Sequence, residues 1–593
     1  MKHIRRPAFS LSTSRRDFLH NMAAGSTLAL LGAHHLRCAT AATPPAELSG
    51  TDFHLEIGTR SMNLTNATQM ATVVNGQLPA PVLHWREGDV VTVRVSNQLR
   101  VPTSIHWHGI IVPADMDGVP GISFPGISPG ETFVYRFPVK QSGTYWYHSH
   151  SRFQEQTGLY GAVVIAPLRG ERHRVERDYT VLLSDWTDID PEHIFRLLKR
   201  KSDYFNFHQR TTGDLLKDIR QEGFGPALES RLMWGRMRMD PTDLADVSAH
   251  AYTYLMNGAT PAANWTGIFA QGERVRLRFI NGSSMSIFDV HIPGLKLKVV
   301  AADGQDVEPV TVDQFRLAAA EVLDVIVEPK DERAYTIFAQ SIDRTGYARG
   351  TLALRPGMQA EVPPLDSRAL LIMTDMGMSH DMGGMEGMAG TDHDMDNMKG
   401  MDHGGMSMHH EMSAPTHHAP SEYGPTVDSL AMEPQGRLDD PGVGLRSNGR
   451  RVLTYADLHT IGGPIDSREA MREIELHLTG HMERFIWSFN GQKFSQAEPL
   501  QFRYGERLRI VLVNDTMMNH PIHLHGMWSE LESETGEFLV RKHTVNVQPG
   551  QRLTYGVTAD ALGRWAYHCH LLYHMEAGMF REVQVKRPSP EAT

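Results

Sequence analysis

Residues 88–97 read GDVVTVRVSN, a Gly-Asp turn followed by a stretch in which apolar and polar side chains alternate. This alternation is typical of a β-strand that buries one face. The strand ends at Asn97, nine residues after Gly88, and the sequence HWHG at 106–109 begins eighteen residues after that glycine. The segment therefore predicts a half-buried strand that leads into a pair of histidines.

The same pattern recurs near the C-terminal end of the chain. Residues 505–514 read GERLRIVLVN, and HLHG begins at position 523, again eighteen residues after the glycine. Downstream, Pro129 precedes the first histidine of HSH at 148–150 by nineteen residues, and Pro549 precedes the first histidine of HCH at 568–570 by the same distance. The first and last segments are copies of one unit.

A third copy lies between them, at residues 272–281, which read GERVRLRFIN. At plus eighteen it has VHI at 290–292 instead of paired histidines, so it keeps the strand pattern without the histidine pair. Strands of period two with Gly and Pro turns indicate antiparallel sandwiches. We predict an all-β chain of three Greek-key β-sandwich domains, at residues 42–170, 175–357 and 445–588.

The first 41 residues resemble a twin-arginine signal peptide. SRRDFL at 14–19 precedes a mostly apolar stretch at 22–33 and the small residues ATA at 39–41. A positive start, an apolar core and a cleavage site in this order are the features of an export signal. We therefore expect export to the periplasm and cleavage after residue 41.

Composition excludes several classes of protein. Lys plus Arg is 58 and Asp plus Glu is 69, for a net charge of -11 without a basic block, which argues against nucleic-acid binding. No apolar run approaches the roughly 18 residues of a transmembrane segment. The chain has 31 Met, 32 His and only 2 Cys, which points to soft-metal chemistry. We expect a monomer.

A Met-rich insertion interrupts the predicted linker at 358–444. Between residues 373 and 412 there are twelve Met, and five His lie among Gly, Asp and Ser. With so little apolar matter to bury, this segment should be a flexible insertion. Thioethers and imidazoles select Cu(I), which suggests copper binding. The alternative is a low-complexity linker without a role in binding.

One cysteine remains after cleavage of the signal peptide. Cys569 cannot form an internal disulfide, so it is either a buried inert thiol or a metal ligand. Alternate residues of a strand point to opposite faces, so His568 and His570 should face one way and Cys569 the other. One short stretch of backbone would then join two metal centres.

On the cysteine side, His574 and Met579 follow five and ten residues later, and His520 precedes HLHG by three residues. Two His, one Cys thiolate and a weak axial Met are the ligands of a blue-copper electron-transfer site. Zinc is disfavoured because the chain contains no paired C-x-x-C ligands.

The sequences HWHG, HSH, HPIHLHG and HCHLLYHMEAGM, in that order, resemble the four copper motifs of multicopper oxidases. The export signal and the Met-rich insertion are similar to those of bacterial copper-resistance proteins of the CopA/PcoA type. The resemblance implies cupredoxin-like domains and four copper ions. It also implies the ligands of each copper. The type 1 ligands would be His520, Cys569, His574 and Met579, and the type 2 ligands would be His106 and His523. One type 3 copper would be held by His108, His148 and His570, and the other by His150, His525 and His568.

The resemblance also implies an activity, the one-electron oxidation of a substrate coupled to four-electron reduction of O2 to water. Electrons would pass from the type 1 centre through Cys569 and its neighbouring histidines. Asp117 matches an acid credited with proton delivery in similar oxidases, although an Asp before Gly118 is also a common turn residue. Where many relatives have a second acid directly after the type 1 histidine, this chain has Met575, and Glu576 is the nearest substitute.

The substrate is suggested by Asp515, Met517 and Met518, just before His520. In related enzymes a Met close to a type 1 histidine forms a Cu(I) docking site, whereas the alternative is gap-filling core packing. We expect oxidation of Cu(I) to Cu(II) in copper resistance. Two alternatives remain open: a laccase-like oxidase of phenols, and a periplasmic protein that sequesters copper in the Met-rich insertion.

Overall fold

A computed structural model describes residues 45–65, 67–378 and 416–588. The predicted signal peptide and most of the Met-rich insertion therefore lie outside the described residues. The described chain is built on six β-sheets, which confirms the all-β prediction. None of the described helices combines the length and apolar character needed to cross a membrane.

The first sandwich pairs a five-stranded sheet, in the order β1-β4-β9-β8-β6, with a four-stranded sheet, β3-β2-β5-β7. Side chains from both sheets, such as Val93 and Val163, share one buried core. The strands are β1 (Glu47–Ser49), β2 (Asp52–Asn63), β3 (Thr68–Val74), β4 (Val82–Arg86), β5 (Val90–Asn97), β6 (His106–His108), β7 (Thr132–Pro138), β8 (Gly143–His148) and β9 (Tyr160–Ala166).

The second sandwich pairs a six-stranded sheet, β11-β10-β13-β18-β15-β16, with a five-stranded sheet, β12-β20-β19-β14-β17. The strands are β10 (Arg177–Thr187), β11 (Tyr252–Met256), β12 (Trp265–Ile268), β13 (Val275–Asn281), β14 (Phe288–His291), β15 (Leu297–Ala302), β16 (Gln305–Val312), β17 (Gln314–Leu317), β18 (Val322–Val327), β19 (Tyr335–Ser341) and β20 (Tyr347–Ala353).

Three helices that we did not predict from the sequence lie between β10 and β11. They are α1 (Pro191–Arg200), α2 (Thr212–Glu222) and α3 (Phe224–Met237). The Asp190 side chain accepts a hydrogen bond from Glu192 N and caps α1, while Thr211 and Asp214 form a capping box at the start of α2. The apolar side chains of Ile194 and Leu198 turn inward from α1.

The third sandwich repeats the second, with sheets β22-β21-β24-β29-β26-β27 and β23-β31-β30-β25-β28. Its elements are β21 (Arg472–His481), β22 (Ile486–Phe489), β23 (Leu500–Arg503), β24 (Arg507–Asn514), β25 (His520–Leu524), β26 (Ser529–Glu532), β27 (Phe538–Lys542), β28 (Thr544–Val547), β29 (Arg552–Thr558), β30 (Gly563–Cys569), α4 (Leu572–Ala577) and β31 (Phe580–Lys586). Short 3-10 helices lie at Ala114–Met116, Met373–Met376, Pro420–Tyr423, Tyr455–Asp457 and Phe494–Gln496.

The strand that identified the repeat has the same place in all three sandwiches. β5, β13 and β24 each pair in parallel with the first long strand of their sandwich and antiparallel with a later one. The asparagine at plus nine ends each strand with its side-chain amide donating to two backbone carbonyls. The donor and acceptors are Asn97 to Val101 and Ile127, Asn281 to Ser286 and Leu317, and Asn514 to Met518 and Val547.

The histidine pairs lie on neighbouring strands of two sheets. His106 on β6 is directly opposite His148 on β8 in the first sandwich. His523 on β25 is directly opposite His568 on β30 in the third sandwich. Each sheet therefore brings two HxH sequences side by side on neighbouring strands.

Candidate metal centres

The eight paired histidines meet in one cluster, to which the first and third sandwiches contribute four each. The rings of His108 and His523 stack with centroids 3.8 Å apart, and those of His106 and His525 lie 4.0 Å apart, so contacts cross between the two sandwiches. Seven of the eight side chains are buried, and His150 is partly exposed. Two distant parts of the sequence thus form a single pocket of imidazoles.

Within the cluster, three sets of three imidazoles offer ligand nitrogens within 4.8 Å of one another: His108, His148 and His570; His106, His150 and His525; His106, His108 and His523. His568 joins the second set, because its Nε2 lies 3.1 Å from His525 Nε2 and its ring centroid lies 5.1 Å from that of His150. The structure therefore brings together the members of each set that the resemblance implied for the type 2 and type 3 coppers.

Backbone carbonyls fix which ring nitrogen faces the centre of the cluster. His106 Nδ1 donates to the Asp117 carbonyl at 2.8 Å, and His523 Nδ1 donates to the His543 carbonyl at 2.5 Å. Because a carbonyl only accepts, the proton is on Nδ1 and the lone pair is on Nε2. In the described part of the chain, neither Nε2 has a hydrogen-bond partner although both are buried. Such orphaned lone pairs fit a bound metal ion.

The electrostatics of the cluster also fit a metal. Burial, and then the neighbouring imidazoles, lower the pKa of most of its histidines well below the usual value. The imidazoles are therefore neutral at physiological pH, which is the form that binds metal. The histidines with this lowered pKa are His108, His148, His150, His523, His525 and His570.

Two buried carboxylates contact the outer side of the cluster. Asp117 lies 3.0 Å from His525 Nδ1 through Oδ2 and 3.3 Å from His106 Nδ1 through Oδ1, so it touches histidines of both sandwiches. Glu155, which the sequence did not single out, lies 2.6 Å from His148 Nδ1. Burial raises the pKa of the Glu155 carboxyl well above its usual range. The cluster thus has acidic side chains at two of its edges.

A second candidate centre lies on the other face of β30. Cys569 Sγ is 3.5 Å from His520 Nδ1 and 3.8 Å from His574 Nδ1, and those two nitrogens are 3.2 Å apart. Met579 is fully buried, and its carbonyl accepts a hydrogen bond from the Cys569 backbone N. The spacing of the three atoms leaves room for one ion between two imidazoles and a thiol.

The far side of each imidazole in this second centre is held by another residue. His574 Nε2 is 2.7 Å from Asp246 Oδ2, which belongs to the second sandwich region, and His520 Nε2 is 2.7 Å from Thr516 Oγ1. Such outer partners set the orientation of ligand histidines. Sequence reasoning missed Asp246, since 328 residues separate it from His574.

Strand geometry connects the two centres. His568 and Cys569 are consecutive residues at the end of β30, so their side chains leave opposite faces of the strand. His568 reaches His525 in the imidazole cluster, while Cys569 reaches His520 in the second centre. A continuous covalent path along the backbone of β30 therefore links a ligand atom of one centre to a ligand atom of the other.

Glu576 lies at an open cavity of about 550 Å³ that also touches His150 and Met575. Its carboxylate forms an ion pair with Arg152. Burial raises the pKa of Glu576, an effect that Arg152 opposes. Glu576 therefore lies between solvent and one edge of the imidazole cluster.

The structure does not assemble Asp515, Met517 and Met518 into an accessible docking site. Met517 and Met518 are 0% and 2% exposed and are part of the hydrophobic core. The Asp515 carboxylate instead accepts a hydrogen bond from Ala431 N and contacts His477. Thioethers without access cannot receive an ion from solvent, so the packing role is the better reading of the two methionines.

Comparison with known proteins finds that three parts of this chain match models of one protein family. Family models described as multicopper oxidase match residues 56–170, 177–356 and 468–589. The chain is 58% identical to a copper resistance protein A homolog of Pseudomonas syringae pv. tomato, over 97% of this chain and 99% of that protein. It is 56% identical to copper resistance protein A of Escherichia coli, over 97% and 100%.

A solved structure supports the fold. Fet3p, a multicopper oxidase that functions in iron import, superposes with a TM-score of 0.61 at 17% identity, covering 91% of this chain and 90% of that one. At this identity the likeness concerns the arrangement of the sandwiches alone.

Proposed function

Because the chain belongs to the multicopper oxidase family, we propose that it acts in copper resistance by oxidising Cu(I) to Cu(II) while it reduces O2 to water. It is an oxidoreductase, and the family carries one type 1, one type 2 and two type 3 coppers. The relatives at 56–58% identity are named as copper resistance proteins, which supports the same role here.

The proposed ligands follow from the two candidate centres. His520, Cys569, His574 and Met579 would hold the type 1 copper, and the eight clustered histidines would hold the other three. When bound, the four ions supply the four one-electron steps that match the reduction of O2 to two waters. The orphaned nitrogens and the low pKa of the buried imidazoles support this occupancy.

The observation that carries the proposal is the position of Cys569 between His568 and His570. The cysteine side chain contacts the type 1 histidines, and both neighbours turn into the imidazole cluster. The backbone of β30 therefore gives electrons a covalent route from one centre to the other. A separate binding protein would have no need for two centres joined in this way.

Protons must reach the same cluster from solvent. Asp117 and Glu155 touch its histidines, and Glu576 lies at the cavity that reaches His150. The raised pKa of Glu155 lets its carboxyl hold a proton beside His148 Nδ1. We propose that Asp117 and Glu155 orient the ligand histidines and exchange protons, and that Glu576 partly replaces the acid missing at Met575.

The surroundings of the type 1 histidines favour a small cation over a bulky phenol. His520 and His574 are fully buried, and Thr516 and Asp246 occupy the ring edges that would otherwise face a substrate. The second oxygen of Asp246, Oδ1, is buried and has no hydrogen-bond partner within the described residues. This buried carboxylate places a negative charge directly beside a type 1 histidine, which favours the approach of a cation over that of a neutral phenol.

O2 uptake by the copper-loaded protein tests this choice, with Cu(I) and a phenol as alternative donors. In Asp246→Asn the amide oxygen keeps the hydrogen bond to His574 while the charge is lost. We expect the KM for Cu(I) to rise about 10-fold, with the blue absorption and phenol oxidation unchanged. A protein that oxidises phenols but leaves Cu(I) untouched would be laccase-like.

The Met-rich insertion is proposed to deliver Cu(I) by raising its local concentration. Deletion of residues 379–412, which spares the packed 3-10 helix at Met373–Met376, should leave the four catalytic coppers in place and should lower Cu(I) oxidation at low copper only. If the deletion removes several bound Cu(I) ions and leaves that rate unchanged, the insertion is a copper store.

Residues 1–41 are proposed to direct export to the periplasm by the twin-arginine route, where the mature chain would act as a monomer of three domains with the boundaries given above. Replacement of both Arg15 and Arg16 by Lys should retain the precursor in the cytoplasm. Cell fractionation measures this directly.

A further inference from the structure

A second group of metal-ligating side chains lies outside the copper motifs. His418 Nδ1 is 3.0 Å from Glu422 Oε2 and 3.9 Å from Asp515 Oδ2. His477 Nδ1 is 2.8 Å from Asp515 Oδ2 and 3.6 Å from Glu422 Oε2. None of the four side chains is more than 3% exposed. Three separate segments of the chain therefore converge on one buried point.

The distances fit a four-coordinate ion. Zinc and copper bind nitrogen and oxygen ligands at about 2.0–2.1 Å, so adjacent ligand atoms around a tetrahedral ion lie about 3.3 Å apart. The four measured separations run from 2.8 to 3.9 Å and lie on both sides of that value. Shifts of a few tenths of an ångström would complete the geometry.

Outer partners orient two of these side chains. Glu475 lies 3.2 Å from His477 Nε2, the nitrogen that faces away from the cluster. Ala431 N donates to Asp515 Oδ1 at 2.8 Å and leaves Oδ2 directed at the two histidines. A carboxylate behind a histidine is the usual support of a metal-binding imidazole.

The charges in the cluster favour a divalent cation. Two carboxylates are buried with two imidazoles, and burying unpaired charge is costly. Burial raises the pKa of Glu422. Burial lowers the pKa of His477, but hydrogen bonds to Asp515 and Glu475 outweigh it and raise this pKa to about 10. The cluster thus retains a proton, and a divalent ion that replaced it would neutralise both carboxylates.

We propose that His418, Glu422, His477 and Asp515 form an additional site for one divalent first-row transition ion, separate from the four catalytic coppers. Two imidazoles and two carboxylates make a harder ligand set than thioethers, so the site should prefer Cu(II) or Zn(II) over Cu(I), with Cu(II) bound most tightly. An occupied site would tie the segment that follows the Met-rich insertion to the strand end before His520.

Metal analysis of the copper-loaded protein tests the site. After equilibration with Zn(II) in large excess over free copper, so that zinc outcompetes the tighter-binding Cu(II), and then dialysis, we expect one zinc per chain in addition to the four coppers. His418→Ala and Glu422→Gln should each lose that zinc. His417→Ala is the matched control, because His417 is the exposed neighbour of His418 and should not affect binding. The same set is measured in a chain lacking residues 379–412, which removes zinc bound by the insertion.

Two further measurements keep the test independent of folding and of oxidase activity. Zn(II) should raise the Tm of the parent chain and of His417→Ala but not that of the two site variants. Co(II) should give the visible absorption of a tetrahedral N2O2 site, and Cu(II) should displace it. If the parent chain binds no additional zinc, or Glu422→Gln keeps it, the site does not exist. Inactivity towards Cu(I) with zinc still bound would refute only the proposed function.

Discussion

The outer sandwiches and the middle sandwich share one scaffold but differ in chemistry. Asn97, Asn281 and Asn514 end equivalent strands and donate equivalent hydrogen bonds. At plus eighteen the outer units have histidine, whereas the middle unit has Val290, which lies in the hydrophobic core. The comparison shows that turn and strand residues maintain the sandwich, and that a few side chains on two neighbouring strands decide whether it contributes to a metal centre.

The largest effect is expected for substitution of Cys569, a residue that the third sandwich has and the first sandwich lacks. Cys569→Ser replaces the thiolate that links the two candidate centres with a poor copper ligand. The intense blue absorption should disappear and O2 reduction should stop, while the fold remains intact. Visible absorption, O2 uptake and circular dichroism measure these three outcomes. A variant that stays blue would refute the assignment of the type 1 ligands.

The second prediction compares an outer histidine with a middle one. His108→Ala removes an imidazole from the cluster and should lower O2 reduction more than about 100-fold, because even the loss of an outer partner of a metal ligand costs 10–100-fold. Type 1 absorption should remain. His291→Ala, the matched control in the middle unit, should retain full turnover. Equal losses of activity in the two variants would contradict the division between scaffold and site.

Much of this site was predictable because it repeats. The fixed offsets from Gly88 and Gly505 identified the strands, and alternation along β30 placed His568 and Cys569 on opposite faces. Asp246 and Glu155 were not predictable, since contacts between separate elements leave no periodic signal in the sequence.

Other features had a signal that was too weak or too local to interpret. The capping residues of α1 and α2 are present in the sequence. They lie within residues 175–357, which we interpreted as a β-sandwich domain, so no helices were predicted there. The methionines before His520 matched a docking pattern, and only their burial showed that packing is the better reading. His418 and Glu422 are four residues apart, but the 3-10 helix that brings them together could not be seen from composition.

The third prediction tests the shared scaffold. Asn281→Ala and Asn514→Ala each leave two buried carbonyls and one backbone N–H without their partner, which should cost about 3 kcal/mol in either sandwich. Urea unfolding measures the loss. Asn281→Ala should retain normal copper content, whereas Asn514→Ala should also disturb the type 1 centre through the loop to His520. Unequal stability losses would show that these two asparagines are not equivalent.

The smallest effect concerns the one histidine that the middle unit retains in its copy of the motif. Burial, and then the positive charge of Arg450, lower the pKa of His291 from 6.5 to about 4. In this window the unfolded chain binds a proton that the folded chain does not, so the stability present above pH 6.5 falls as the pH drops towards 4. At pH 5 the loss should be about 2 kcal/mol.

His291→Phe cannot titrate, and the Phe338 ring 5.4 Å away offers it an aromatic neighbour. Between pH 7.5 and pH 5 the variant should therefore lose about 2 kcal/mol less than the parent chain in the first urea transition. If both lose the same amount, His291 does not contribute to the acid sensitivity of the middle sandwich.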